Sequence, residues 1–81
     1  MKSIGLLSGI GRLPVEVAKA ARAMSIDVYA VGLVDGVEED LKNVATDFKS
    51  INVAQLGGII DYLKGKEVTD VVMIGKVTKE I

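Results

Sequence analysis

Two glycines separated by one residue, Gly9 and Gly11, stand between an apolar run and a proline-led helical pattern, with Arg12 directly behind them. Small residues at such a strand-to-helix turn let backbone N–H groups approach an anion, and the following helix adds the positive end of its dipole. Gly9, Ile10, Gly11 and Arg12 are therefore candidate phosphate-binding residues. The opposing reading is a tight turn that needs glycine dihedrals and nothing more. Gly75 and Lys76, at the end of a later apolar run, would bring a second small turn and a positive charge to the same ligand, with Lys79 as a further cation. Asp35 closes another run about twenty residues past the glycines, the place of a ribose-binding carboxylate in dinucleotide folds. Asp35-Gly36 also reads as a plain turn.

The helix start bears on the anion. Pro14 suits the first helical position, because its φ is already helical and its missing N–H would have had no partner there. Leu13 then falls at the N-cap and offers no side-chain oxygen, so first-turn donors are left to solvent or to a ligand. Glu16 partly fills that role and opposes an anion. Pro14 also occupies the place of the third glycine in the dinucleotide fingerprint.

Other chemistries are narrowed by composition. The chain has neither Cys nor His, which removes disulfides, thiolate nucleophiles, Cys/His zinc sites and an imidazole-activated serine from within it. Catalysis here would fall to carboxylates, Lys, Tyr or a metal held by oxygens. Glu38, Glu39 and Asp40 are adjacent and read either as a magnesium site or as the acidic first turn of an exposed helix. Ten basic and eleven acidic residues give a net charge of −1, unlike the clustered basic surface of a nucleic-acid or membrane binder. Stacking platforms are few: Tyr29, Phe48 and Tyr62.

These residues need elements to hold them. Ile4, Leu6 and Leu7, closed by Ser8, read as a buried strand that leads into the glycine turn. The helix after it would bury Val17, Ala20, Ala21 and Met24 and expose Glu16, Lys19 and Arg22. Residues 28–33 form a second apolar, β-branched run, and runs buried on both faces belong to parallel sheets connected by helices. A short helix over residues 37–45 contacts the core through Leu41, Val44 and Ala45. Residues 48–53 alternate as a polar edge strand. Asn52 and Gln55 have capping-box spacing before a helix with a Leu56, Ile59, Ile60 and Leu63 stripe, ended by Gly65. Gly57 and Gly58 inside it imply close approach of a backbone or ligand, or tight helix packing. Residues 70–75 form a fourth buried strand. Right-handed crossovers and strand order 3-2-1-4 would set the Gly75-Lys76 end beside the Gly9–Arg12 turn.

The expected fold is thus α/β, a Rossmann-like open parallel sheet of about four strands with helices on both faces. Eighty-one residues make one domain that buries about 60–65% of its unfolded surface. With 49% apolar residues, it calls for a partner layer: a second domain or a homodimer. The next element of the fold is expected beyond Ile81. The N-terminal apolar run is too short for a signal peptide or membrane span, which points to the cytoplasm.

Gly9-x-Gly11-x-Leu13-Pro14, then Thr46-Asp47 leading into Ala54-Gln55-Leu56-Gly57, then Val72-Met73-Ile74-Gly75-Lys76-Val77 together resemble the N-terminal domain of the LpxI family, the UDP-2,3-diacylglucosamine pyrophosphatases of lipid A synthesis. The resemblance spans nearly all of the chain and departs from the family pattern at Ala54 and Gly58. It implies a two-domain hydrolase that yields UMP and a lipid monophosphate, working in the cytoplasm or at the periphery of the inner membrane. It also implies a divalent metal such as Mg2+ bound outside this chain, and essential acidic residues in a C-terminal domain. On that reading the chain is a ligand-gripping half, inactive alone, with UDP-diacylglucosamine or the lipid phosphate as partner and no nucleic acid. The alternative is a stand-alone nucleotide-binding or assembly module with Asp35 on a ribose.

Overall fold

The computed structural model describes residues 2–76; Val77 and Lys79, named above, lie outside the described residues. In chain order the elements are β1 (Ser3–Ser8), α1 (Leu13–Ala23), β2 (Asp27–Gly32), α2 (Asp40–Val44), β3 (Asp47–Ser50), α3 (Leu56–Gly65) and β4 (Asp70–Ile74). The strands form one parallel sheet in the order β3-β2-β1-β4. β1 is central, with Ser8 opposite Gly32 of β2 and Ile74 of β4. All strand ends that lead into the candidate site therefore share one edge of the sheet.

Alternation along the strands divides the core between two faces. Leu6, Val28 and Ala30 pack with Val15, Ala18, Ala21 and Leu41, so α1 and α2 cover one face. Val31 and Leu33 pack with Ile51, Ile59 and Leu63, so α3 covers the other. Gly5 makes room for that helix: a Cβ there would lie 2.6 Å from Leu63 Cδ2. This is the doubly wound arrangement that the runs of β-branched residues predict.

Several local readings need correction. α1 buries Pro14, Val15, Ala18 and Ala21, with Ala20 exposed and Met24 outside the helix. The cause is the reversal after Ala23: Ser25 takes a positive φ of 61°, and the Ile26 N–H donates to the Ala21 carbonyl at 2.9 Å, which turns Met24 outward. The N-cap is Arg12 rather than Leu13, one residue early, and no side chain caps it. The helix expected over 37–45 is confined to Asp40–Val44, because Val37 instead bridges Gly11.

β3 stops at Ser50, and Asn52 does not form a capping box. Its Oδ1 accepts from the Ala54 N–H at 2.9 Å, so α3 starts at Leu56 with Gln55 as an N-cap lacking a side-chain bond. Leu56 and Ile60 are exposed, and Ile59 and Leu63 carry the burial. Gly65 is the last helical residue, but the left-handed residue that reverses the chain is Glu67, with φ 55°.

Candidate functional site at the carboxyl edge of the sheet

The turn after β1 and the turn after β4 are joined backbone to backbone. The Gly9 N–H donates to the Ile74 carbonyl at 2.9 Å. Ile10 and Lys76 exchange two bonds: Ile10 N–H to the Lys76 carbonyl at 2.8 Å, and Lys76 N–H to the Ile10 carbonyl at 2.9 Å. The approach leaves no room for side chains at the crossing, since a Cβ on Gly9 would stand 2.5 Å from the Lys76 carbonyl oxygen. Gly75, at φ 102°, crosses it from the other side. Thus Gly9, Ile10, Gly11, Arg12, Gly75 and Lys76 come together, but the donors of Gly9 and Ile10 are occupied by β4 and its following turn.

The donors open to a ligand are those that follow. Among the described residues, no close hydrogen bond engages the N–H groups of Gly11, Arg12 or Leu13, although Gly11 stands in an isolated parallel bridge with Val37. Gly11 is exposed, with φ 120° and no atom within 4 Å of where a Cβ would be. Pro14 has no N–H, so these three amides are the free end of α1, where its dipole is positive.

Arg12 complicates the electrostatics. Its guanidinium donates from Nη1 to Asp40 Oδ2 at 2.6 Å and lies 3.7 Å from Glu38 and 3.8 Å from Glu16. The hydrogen bond to Asp40, opposed by slight desolvation and supported by the other carboxylates, holds the guanidinium charged still more firmly than usual. The side chain thus ties the start of α1 to α2, through contacts half open to water and individually weak. Glu38 and Asp40 serve this arginine, and Glu39 lies 3.8 Å from Lys42. No group of three or more Asp, Glu, His or Cys among the described residues is placed to hold a metal. These carboxylates therefore do not fit a magnesium site.

Asp35 lies exposed in the turn after β2, where Gly36 takes φ 91°. It lines a shallow pocket between the ends of β2 and β3, with Gly32, Leu33, Val34, Ser50 and Asn52. Ser8, at the mouth of the glycine turn, is fully buried and donates to the Leu6 carbonyl at 3.2 Å, so it is not presented to a ligand. Neither Gly57 nor Gly58 is approached closely: nothing lies within 4 Å of a Cβ at Gly57, and only Ile51 Cγ2, at 3.5 Å, at Gly58.

One polar cluster escaped the sequence reading. Tyr62 Oη donates to Asp47 Oδ2 at 2.7 Å. Lys66 Nζ lies 3.7 Å from the same carboxylate and above the rings of Tyr29 and Tyr62 at 5.9 and 5.8 Å. The signal was the i,i+4 spacing of Tyr62 and Lys66 on one helix. The cluster sits at the start of β3, on the sheet edge opposite the glycine turns. Beside it, Thr46 Oγ1 accepts from the Val28 N–H at 2.9 Å and from Arg22 at 3.1 Å. The Thr46-Asp47 pair therefore holds β2, β3 and α3 together and does not face the candidate ligand.

A protein-family model described as the LpxI N-terminal domain matches residues 3–81. The chain belongs to the LpxI N-terminal domain family. The match begins at the first residue of β1 and takes in both glycine turns, Asp35 and the Thr46-Asp47 pair. No curated protein and no solved structure gives a match. No helix among the described residues is long and apolar enough to cross a membrane.

Proposed function

We propose that this LpxI N-terminal domain is the phosphate-gripping half of a UDP-2,3-diacylglucosamine pyrophosphatase. It holds the nucleotide-lipid substrate or its lipid monophosphate product, while hydrolysis depends on a following domain. The observation that carries the reading is the set of three amides without a close hydrogen bond, Gly11, Arg12 and Leu13, at the positive end of α1 and next to the turn of Gly75 and Lys76. Membership of the family supports the substrate class that the resemblance implies. Magnesium belongs to the chemistry of the whole enzyme, and Glu38, Glu39 and Asp40 are engaged by Arg12 and Lys42 instead.

The binding mechanism follows from the donors present. A phosphate oxygen at the helix end accepts from the free amides, and Lys76 adds an unpaired cation among the described residues. The Arg12 guanidinium joins only by leaving Asp40, so Asp40 competes with the ligand. Calorimetric titration with UDP-N-acetylglucosamine and with a diacylglucosamine 1-phosphate tests this reading. Binding weakened by Lys76→Ala and strengthened several-fold by Asp40→Asn is the expected result. Equal affinities in all three chains, or turnover by the isolated domain that is lost on changing Arg12 or Lys76, would overturn it.

The pocket beside Asp35, with Ser50 and Asn52 as further polar groups, favours a second reading: a nucleotide-binding module with a ribose at Asp35. NAD titration distinguishes it. Binding of NAD that disappears in Asp35→Ala supports the module, and silence toward NAD removes it.

A further inference from the structure

The acidic run Glu38-Glu39-Asp40 has a place in the fold that gives it a use other than metal binding. The chain between β2 and α2 is pinned at its two ends by fully buried leucines, Leu33 and Leu41. Between them it arches over the glycine turn. Val37 bridges Gly11, Gly36 lies against Ile10, and Glu38 and Asp40 close on the Arg12 guanidinium at 3.7 and 2.6 Å. Among the described residues, no amide from Val34 to Asp40 donates a close hydrogen bond. Apart from the Val37 side chain, which packs on the core, Arg12 is therefore the main tie between this arc and α1.

That tie is built to exchange. The side chains of Arg12, Glu38 and Asp40 are 49%, 44% and 54% exposed, so water already solvates each of them, and parting them leaves no charge buried without a partner. A carboxylate on the arc offers its oxygens to the guanidinium alone. A phosphate at the start of α1 accepts from the guanidinium and from the amides of Gly11, Arg12 and Leu13 together, and the guanidinium fork suits two of its oxygens at once. Once Arg12 turns to such a ligand, Glu38 and Asp40 lose their hold on α1. The helix they lead into has five residues and no side-chain cap, so the start of α2 depends on that hold.

Resting on the phosphate-binding reading above, we propose that Glu38 and Asp40 latch Arg12 in the empty domain, and that a phosphate taking Arg12 releases the arc of residues 36–40 from α1. The latch reaches a second position. Gly36, Val37 and Glu39 of the same arc wall a cavity of about 140 Å³ beside Asp35, so a phosphate at the glycine turn changes the wall of the pocket at the ends of β2 and β3. Coupling of this kind is reciprocal: the factor by which the latch weakens phosphate binding is the factor by which phosphate weakens the latch.

Titration of the nitrogen-15-labelled chain with inorganic phosphate, followed by nuclear magnetic resonance at fixed ionic strength, tests the latch. Phosphate should move the Arg12 Nε–Hε signal together with the backbone signals of residues 36–40, and leave Val28 and Ala30 in place. Asp40→Asn should bind phosphate several-fold more tightly. Glu39→Gln removes the same charge from the same run but from the Lys42 partner, and should change affinity less than twofold. Placed on Arg12→Ala, Asp40→Asn should lose its effect, since the two residues act as one pair. Equal gains from Asp40→Asn and Glu39→Gln, a gain that persists without Arg12, or phosphate binding that leaves residues 36–40 unmoved would each overturn the latch while the phosphate reading stands. Phosphate bound by neither the unaltered chain nor Asp40→Asn would overturn both. The same spectra report folding, and Glu38→Gln replaces Asp40→Asn if that variant unfolds.

Discussion

One methyl group added at Gly9 and one added at Gly11 are expected to act through different physics. At Gly9 it meets the Lys76 carbonyl at 2.5 Å. The obstacle is backbone, so the two turns must separate, at a cost of about 1–3 kcal/mol with loss of the Ile10–Lys76 pair. At Gly11 it meets nothing, and the cost is the positive φ alone, about 1–3 kcal/mol. Urea midpoints of Gly9→Ala and Gly11→Ala measure both, and an unchanged midpoint for Gly9→Ala would show that the two turns do not press on each other. The sequence identified both glycines and placed them at a site, but it could not separate their reasons. A positive φ is a local property, whereas the clash at Gly9 comes from a strand pairing with a distant stretch of chain. The same limit applies to Arg12. Its type and place suggested an anion partner, and only the fold revealed that α2 delivers Asp40 to it first.

At the scale of elements, strand runs were more legible than helix faces. A residue run buried on both sides reads the same in any register. A helix stripe depends on how the helix leaves and meets the sheet, so without the reversal after Ala23 the pattern puts burial at Ala20 and Met24, whereas the fold buries Ala18 and Ala21. The joint between α3 and β3 was invisible for another reason, because it rests on Tyr62 reaching Asp47 across the fold. That joint should govern the pH dependence of stability. The Tyr62 hydroxyl bond lowers Asp47 from its ordinary 3.8, against a desolvation that raises it and with help from Lys66. Its stabilisation is present above that ordinary value and is lost as pH falls through the depressed one. Burial first, then the Asp47 bond and charge, raise Tyr62 above its ordinary 10.0. Its stabilisation is present below 10.0 and fades as pH rises beyond it. Urea midpoints of the wild type should fall in both the acid and the alkaline limb, and Tyr62→Phe should flatten both; parallel profiles would show that the joint does not couple to folding. Gly57→Ala belongs to this scale too. With open space at its Cβ, the substitution should stabilise α3 by about 0.5–1 kcal/mol, read from thermal melts. Destabilisation instead would mean that the helix start needs glycine for its backbone.

For the molecule as a whole, four parallel strands in the order β3-β2-β1-β4 followed directly from apolar runs alternating with helical patterns. The exposure of β4 among the described residues did not, because β4 reads as a central, buried strand until its neighbours are counted. A domain of this size has little stability to spare, so the side chains that β4 turns away from the core are a direct measure of what holds the strand. Val71 and Met73 are 52% and 60% exposed, and side chains that open to water bury little apolar area. Replacing both by lysine should therefore lower the thermal midpoint by only a few degrees, about 1 kcal/mol or less in a domain of this length. A loss several times larger would mean that β4 depends on these side chains, and not on its backbone pairing with β1, for its place in the sheet.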